Sequence, residues 1–167
     1  MKSILRVFFI LAFASLSVNS FAQKIGHISF VELVQAMPET ATINKELEAL
    51  GKTYEEELEV IQVEMRNKYV AYENMRATSP DAATEKLNEV EEVSQRLETR
   101  QAEVEQAFQK KQDEMFAPVF ERAQNAIKKV AKDNGVTYVY SSQALLYADD
   151  ALGFNLLPLV KKELGIQ

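Results

Sequence analysis

The feature that most constrains this chain is a stretch of 83 residues without glycine, between Gly51 and Gly135. Helix-type periodicity runs through almost all of it, with one break at Thr78-Ser79-Pro80-Asp81. The pattern predicts two long helices joined by a tight reversal near 78–81, a hairpin roughly 50 Å long at about 1.5 Å per residue. Nothing else in the chain is large enough to cover such a hairpin. We therefore expect a protein that holds something rather than one that catalyses a reaction.

The first 22 residues have the pattern of a secretory signal peptide. Two basic residues precede an apolar run at 7–16, and Ser20-Phe21-Ala22 is a small-x-small cleavage site. We predict cleavage between Ala22 and Gln23 and export of the mature chain. The alternative is an uncut N-terminal membrane anchor, although the run is shorter than the about 20 apolar residues that a spanning helix needs.

Charge and cysteine content exclude several classes of protein. The signal segment holds two of the 19 basic residues and none of the 25 acidic ones, so the mature chain carries a formal charge of −8. That charge argues against nucleic acid as a partner, because phosphate binding needs a basic surface. Without cysteine the chain has neither disulfides nor a thiolate metal site. We expect no cofactor.

The segment around the first arm predicts a strand, a helical turn and a long helix. Residues 24–30 alternate between two faces, which predicts a short strand, and Val31–Met37 reads as a helical turn that stops at Pro38. Thr40 or Thr42 is expected to cap the arm helix, which runs to about Ala77. Its apolar stripe lies at Ile43, Leu47, Leu50, Tyr54, Leu58, Ile61, Met65, Tyr69 and Tyr72.

The second arm carries a thinner stripe, typical of a helix that pairs with one partner. Ser79 or Asp81 is expected to cap it. Pro118 is expected to kink or break it near 115–117, which makes Pro118 a hinge between arm and body. The stripe comprises Leu87, Val90, Leu97, Val104, Phe108 and Met115, with Ser94, Gln101 and Lys111 at intervening seam positions.

The remaining residues predict a small β-containing body. Val136–Ser141 reads as a strand, 145–147 as a second short strand, 149–155 as a loop and Leu156–Leu164 as a closing helix. The fold class is therefore α+β and mostly helical, with a body at 23–40 and 119–167 and an arm at 41–118. A core of that size supplies about 3–5 kcal/mol unaided. Its strand edges are also uncovered, so we expect copies of the chain to complete one another.

No credible active site appears in the sequence. His27 is the only histidine, and no cysteine is present to share a metal with it. Asp149 and Asp150 are adjacent on a loop, whereas catalytic carboxylate pairs face each other in different environments. The acidic run at 55–59 is typical of a solvent-exposed helix face, and binding of a cation or a basic partner is the alternative. We expect no enzyme activity.

One set of apolar residues is not explained by the seam between the arms. Val63 lies two positions from both Ile61 and Met65, so it points roughly away from the seam at 100° per residue. One interpretation is ordinary scattered surface apolar side chains. The other is a weak apolar lining that contacts a client, comprising Val60, Val63, Val70, Tyr72 and Met75.

These elements resemble the Skp/OmpH-like periplasmic chaperones of Gram-negative bacteria. The similarity rests on the signal peptide, the opening 24–28 strand and the Met37-Pro38-Glu39 turn into a long helix. It continues through Ile127–Gly135, the strand at 136–140 and the segment 145–149. It covers essentially the whole mature chain.

The resemblance implies a homotrimer in which strands from three bodies form a small barrel and three hairpins enclose a cavity. The cavity would hold unfolded outer-membrane proteins without ATP, in the periplasm. Well-known members are basic, whereas this chain is acidic, which argues against lipopolysaccharide or a membrane surface as a partner. No lipopolysaccharide-binding residues are carried over. The alternative is a periplasmic coiled-coil adaptor that bridges fixed envelope partners.

Overall fold

A computed structural model describes residues 23–147, 149 and 153–166. The predicted signal segment with Ala22, and Asp150 in the loop, lie outside these ranges. The fold is α+β and mostly helical, as predicted. In chain order the elements are β1 (Lys24–Ile28), α1 (Phe30–Ala36), α2 (Pro38–Thr78), α3 (Pro80–Asp133), β2 (Val136–Ser141), a 3₁₀ turn (Ser142–Ala144), β3 (Phe154–Asn155) and α4 (Leu157–Leu164).

Helices α2 and α3 form the predicted hairpin, and Ser79 is the single residue between them. At 41 and 54 residues they are about 60 and 80 Å long. Pro80 occupies the first turn of α3, where its fixed φ suits a helix start and its missing N–H costs no hydrogen bond. Ser79, one of the two predicted caps, is the N-cap residue of α3, although its side chain makes no capping hydrogen bond; Asp81 lies inside the first turn.

The start of α2 also differs from the prediction. The helix begins at Pro38 with Met37 as its N-cap residue, so neither Thr40 nor Thr42 is the cap. The observed N-cap lies three residues before Thr40 and five before Thr42, because the fixed φ of Pro38 already suits the first helical position. Thr40 is buried instead, and its hydroxyl donates a 2.5 Å hydrogen bond to the carbonyl oxygen of Val34. That bond ties α2 to the end of α1.

The body contains a three-stranded parallel sheet in the order β2-β1-β3. The predicted strand at 145–147 is wrong, and the third strand is Phe154–Asn155, within the predicted loop. The 3₁₀ turn leads the chain away from the sheet before 145, whereas β3 returns beside Gly26 and His27. The N–H of Leu156 extends this pairing with a 2.9 Å bond to the carbonyl oxygen of His27.

One face of the sheet packs on the helices. Gly26 and Ile28 point to this side and are buried. A Cβ at Gly26 would lie 2.2 Å from Cδ1 of Leu156 and 3.2 Å from Cγ1 of Val136, so only glycine fits between the strands and the start of α4. The buried core comprises Ile28, Leu33, Val34, Met37, Ile43, Leu47, Val119, Ala123, Ala126, Val130, Ala131, Leu156, Leu157 and Val160.

Helix α3 continues through Pro118. The predicted break near 115–117 is therefore wrong. The following turns are held by Val119 and Ala123, both buried in the body core, and this packing keeps the chain helical despite the missing N–H. The role of Pro118 as a hinge stays a prediction.

Candidate functional site

The two arms pack against each other along a narrow seam. Ile43 and Leu47 are buried at the body end of α2, and the apolar residues that follow are half-buried, except Tyr69, which is half-exposed at 52%. On α3 the most buried apolar side chains outside the body are Ala83 and Val93, which the predicted stripe omits. The seam is therefore only one or two side chains wide.

The predicted register of the α3 seam is partly wrong. Ser94, Gln101 and Lys111 are exposed. The neighbouring residues Val93, Arg100 and Gln112 take the seam positions. Leu87, the first residue of the predicted stripe, is 41% exposed. A charged residue such as Arg100 gives no apolar signal, and its place in the seam depends on a partner across it.

Ion pairs connect the arms along the seam. Arg100 binds Glu57 through two bonds of 2.8 Å each, and this arginine lowers the pKa of Glu57. Arg96 pairs with Glu64 further toward the tip.

Counted from the body toward the tip, the third ion-pair site between the arms is centred on Glu89 of α3. Lys68 on α2 lies 2.5 Å from its Oε2, and Lys86 contacts its Oε1. Hydrogen bonds from Lys68, which has the larger effect, and from Lys86 lower the pKa of Glu89 to about 2. Polar pairs thus supply contacts where the seam is too thin to bury large apolar side chains.

The predicted client-contact residues fall into two groups. Val60, Val63 and Val70 are 68%, 42% and 53% exposed, on the face of α2 that points away from the seam. Tyr72 and Met75 are half-buried near the tip, and the ring of Tyr72 lies 6.0 Å from that of Tyr69. The three valines form an exposed apolar row, hereafter the valine row. Tyr72 and Met75 are partly covered by the hairpin itself.

An apolar hollow of about 450 Å³ lies where the arms meet the body. The rings of Phe116 and Phe120 are stacked at 5.5 Å between centroids, and Phe30 contacts Phe120 at 5.7 Å. Val31 and Val34 complete the apolar lining. This hollow is not among the sequence predictions, although the spacing of four between Phe116 and Phe120 places both rings on one face of the helix.

None of the helices in the described part of the chain covers the second face of the sheet. Ile25 pairs in register with Tyr138, and His27 with Tyr140, so these four side chains share one face. Ile25, Tyr138 and Tyr140 are 48–54% exposed. Beyond β2, Leu146 and Tyr147 are also highly exposed. The body therefore presents an apolar surface that its own core does not use.

The polar candidates from the sequence have structural partners. Nδ1 of His27 lies 3.0 Å from Oγ of Ser142, the first residue of the 3₁₀ turn after β2. The hydroxyl of Tyr147 donates to Oδ2 of Asp149 at 3.2 Å. Among the described residues, no group of three or more His, Cys, Asp or Glu side chains is arranged to hold a metal ion. None of the helices described is long and apolar enough to cross a membrane.

Comparison with known proteins places these features in one family. The sequence profile of the family "Outer membrane protein (OmpH-like)" matches residues 24–164. The chain is 26% identical to a chaperone protein Skp of Vibrio cholerae over 127 residues, covering 75% of each protein. It is 29% identical to a chaperone protein Skp of Yersinia enterocolitica over 137 residues, covering 81% of this chain and 82% of that protein.

A solved structure supports the fold. The crystal structure of an OmpH-like protein from Caulobacter crescentus superposes with a TM-score of 0.63 at 16% identity, covering 87% of this chain and 86% of the other. The profile match spans the described strands, arms and closing helix. The chain therefore belongs to the Skp/OmpH-like family, whose members are periplasmic chaperones and not enzymes.

Proposed function

We propose that this protein is an ATP-independent periplasmic holdase that binds unfolded outer-membrane proteins between its helical arms and prevents their aggregation. The observation that carries the proposal is the exposed row Val60, Val63 and Val70 on the face of α2 opposite the seam. Within the described residues, the arms contact each other along most of their length and the valines face away from that seam, so this row is open to a client. The family and the Skp relatives support the same function.

The cavity in this proposal requires a homotrimer. The uncovered sheet face with Ile25, Tyr138 and Tyr140 supports self-association, because exposed apolar clusters on strands are usually paired or covered. Three bodies that share these faces would place three arms around one space. The mass of the mature protein in solution tests this step. Three times the chain mass is expected, and a monodisperse monomer would contradict it.

Holding an unfolded chain needs many weak contacts. Each valine contact is small, but contacts linked on three arms act together through their high effective concentration. A hinge at Pro118 would let the arms spread for clients of different size. Release without nucleotide follows if insertion and folding in the outer membrane are more favourable than binding in the cavity.

Location in the periplasm depends on the predicted signal peptide. We propose cleavage after Ala22, so that Gln23 begins the mature chain. Cell fractionation followed by N-terminal sequencing tests this. A mature protein that starts at Gln23 in the periplasmic fraction is expected, whereas an intact Met1 in a membrane fraction would support the uncut anchor.

The direct test of holdase activity is aggregation of a β-barrel protein diluted from urea, followed by light scattering. An equimolar amount of trimer should suppress the scattering. The variant Val60→Ser/Val63→Ser/Val70→Ser should suppress it less, because it removes the exposed apolar row. The matched control replaces three exposed alanines of α3, Ala82, Ala102 and Ala107, with serine and should act like the wild type.

Two results would contradict the proposal. Scattering that is unchanged by the wild-type trimer removes the holdase function, and a triple-serine variant as active as the wild type removes the valine row. A pull-down from an envelope extract separates the adaptor alternative. Several unfolded β-barrel precursors are expected for a holdase, and one recurring folded partner for an adaptor.

A further inference from the structure

The net negative charge of the mature chain lies on the arms. Residues 41–118 contain 18 acidic and 10 basic side chains, whereas 23–40 and 119–167 contain seven of each sign. The arm thus has a formal charge of −8 and the body none. A client near the arms therefore meets a negative field, which attracts cationic segments and repels anionic ones.

The valine row lies among carboxylates of this field. Glu56, Glu59, Val60 and Val63, hereafter the outer patch, follow the spacing of neighbours on one helix face, at i, i+3, i+4 and i+7. All four are exposed. An apolar surface and negative charges are therefore presented together, on the side of α2 that points away from the seam.

The carboxylates of the outer patch are available to a partner. Neither Glu56 nor Glu59 forms a salt bridge within the described ranges, whereas Glu57 between them pairs with Arg100 across the seam. The preceding lysine, Lys52, is engaged by Glu48 at 2.7 Å. The cation that follows, Arg66, lies three positions beyond Val63 and borders the patch.

We propose that the outer patch selects cationic, apolar segments of unfolded chains. This inference rests on the proposed holdase function and names the class of segment that is held. The apolar stems of lysine and arginine pack on the valines while their charged ends reach Glu56 and Glu59. Each exposed ion pair is weak and screened by salt, so selection depends on the repetition of such contacts along a client.

Two peptides of equal length and apolar content test the proposal, one with net charge of about +5 and one of about −5. Binding to the mature protein is measured by fluorescence anisotropy at low and high salt. At low salt we expect the cationic peptide to bind about 10-fold more tightly, because complementary charge favours one partner and repels the other. At about 1 M salt the difference should fall below about 2-fold, because the Debye length is then only about 3 Å.

Variants locate the effect. Glu56→Gln/Glu59→Gln should reduce the preference for the cationic peptide by about 3-fold. The anionic peptide should bind this variant at least as tightly as it binds the wild type. The control Glu121→Gln/Asp133→Asn removes the same charge from exposed positions in the body and should leave the preference nearly unchanged. Helicity measured by circular dichroism confirms that each variant is folded.

The outcomes separate this inference from the proposed function. Equal binding of both peptides, or a preference that Glu56→Gln/Glu59→Gln leaves intact, overturns charge selection even if the protein still suppresses aggregation of a β-barrel client. Failure to bind either peptide, together with failure to suppress aggregation, overturns both proposals.

Discussion

Arg100 on α3 binds both carboxylate oxygens of Glu57 on α2, with Nε and Nη2 each at 2.8 Å. A second carboxylate, Glu103, accepts from Nη1 at 2.9 Å. The planar guanidinium fits a carboxylate in this paired arrangement, which a lysine ammonium cannot reproduce. The contact therefore fixes the axial register of α2 against α3 near the middle of the arm.

Replacing Arg100 with lysine tests this assignment. Arg100→Lys keeps the charge and removes the paired geometry, so we expect backbone amides within about two turns of Glu57 and Arg100 to exchange about threefold faster. Hydrogen exchange read by mass spectrometry measures the effect. Arg66→Lys, on a cation with no salt bridge in the described structure, should leave exchange unchanged, and equal rates in both variants would contradict the assignment.

Glu89 makes the outer part of the arm sensitive to acid. Its pKa in the folded protein is about 2, below the ordinary value of 4.5, so its contribution to stability is complete above about pH 4.5 and is lost as the pH falls toward 2. Glu89→Gln should lower the melting temperature at pH 6 and have little effect near pH 2. Thermal unfolding followed by circular dichroism measures this. Glu85→Gln is the control, and a pH-independent effect of Glu89→Gln would contradict the prediction.

Replacing Gly26 of β1 and Gly51 of α2 with alanine should change the free energy of unfolding in opposite directions. Gly26→Ala places a Cβ against Leu156 and should destabilise the protein by about 1–3 kcal/mol. Gly51→Ala lies in a helix, where the nearest atom is Cε2 of Phe108 at 3.8 Å, and should stabilise it by about 0.5–1 kcal/mol. Urea unfolding measures both. A Gly26→Ala variant as stable as the wild type would show that the crowding at Gly26 is absent, and a destabilised Gly51→Ala variant would contradict the prediction for α2.

Thr40→Val tests the link between α1 and α2. The substitution removes the hydroxyl donor to Val34 and keeps the side-chain shape, so we expect a loss of about 1 kcal/mol. The loss stays small because the carbonyl of Val34 also accepts from the N–H of Met37 at 3.1 Å. Thr53→Val, which removes an exposed bond to Ala49, should change the free energy of unfolding by much less.

Pro118→Ala tests the hinge. Alanine restores a backbone donor in a helix that already continues through this position, so the helix should become stiffer. Small-angle scattering should then show a narrower range of arm separations in the assembled protein. Pro158→Ala, in the first turn of α4 where proline is tolerated, is the control. An unchanged distribution in Pro118→Ala would remove the hinge.

The helical elements follow from sequence patterns more completely than the sheet does. Long periodic stripes and the Ser79-Pro80 break predict both arms, and the exposure of Val63 follows from its angle to the seam. The two-residue strand β3 is held by backbone pairing with β1 and has no side-chain pattern of its own. Arg100 is a seam residue only because Glu57 faces it, and such a relationship between distant positions is invisible in a local pattern.

The parallel pairing of β1 has a consequence for the order of folding. Ile25 and Tyr138 are neighbours in the sheet but lie 113 positions apart in the chain. Contacts near Ser79 are local and close a short loop, whereas direct pairing of the strands would close a long one at a greater loss of chain entropy. Formation of the helical hairpin from its tip brings β1 and β2 close together. The sheet, and any assembly that depends on it, therefore forms last.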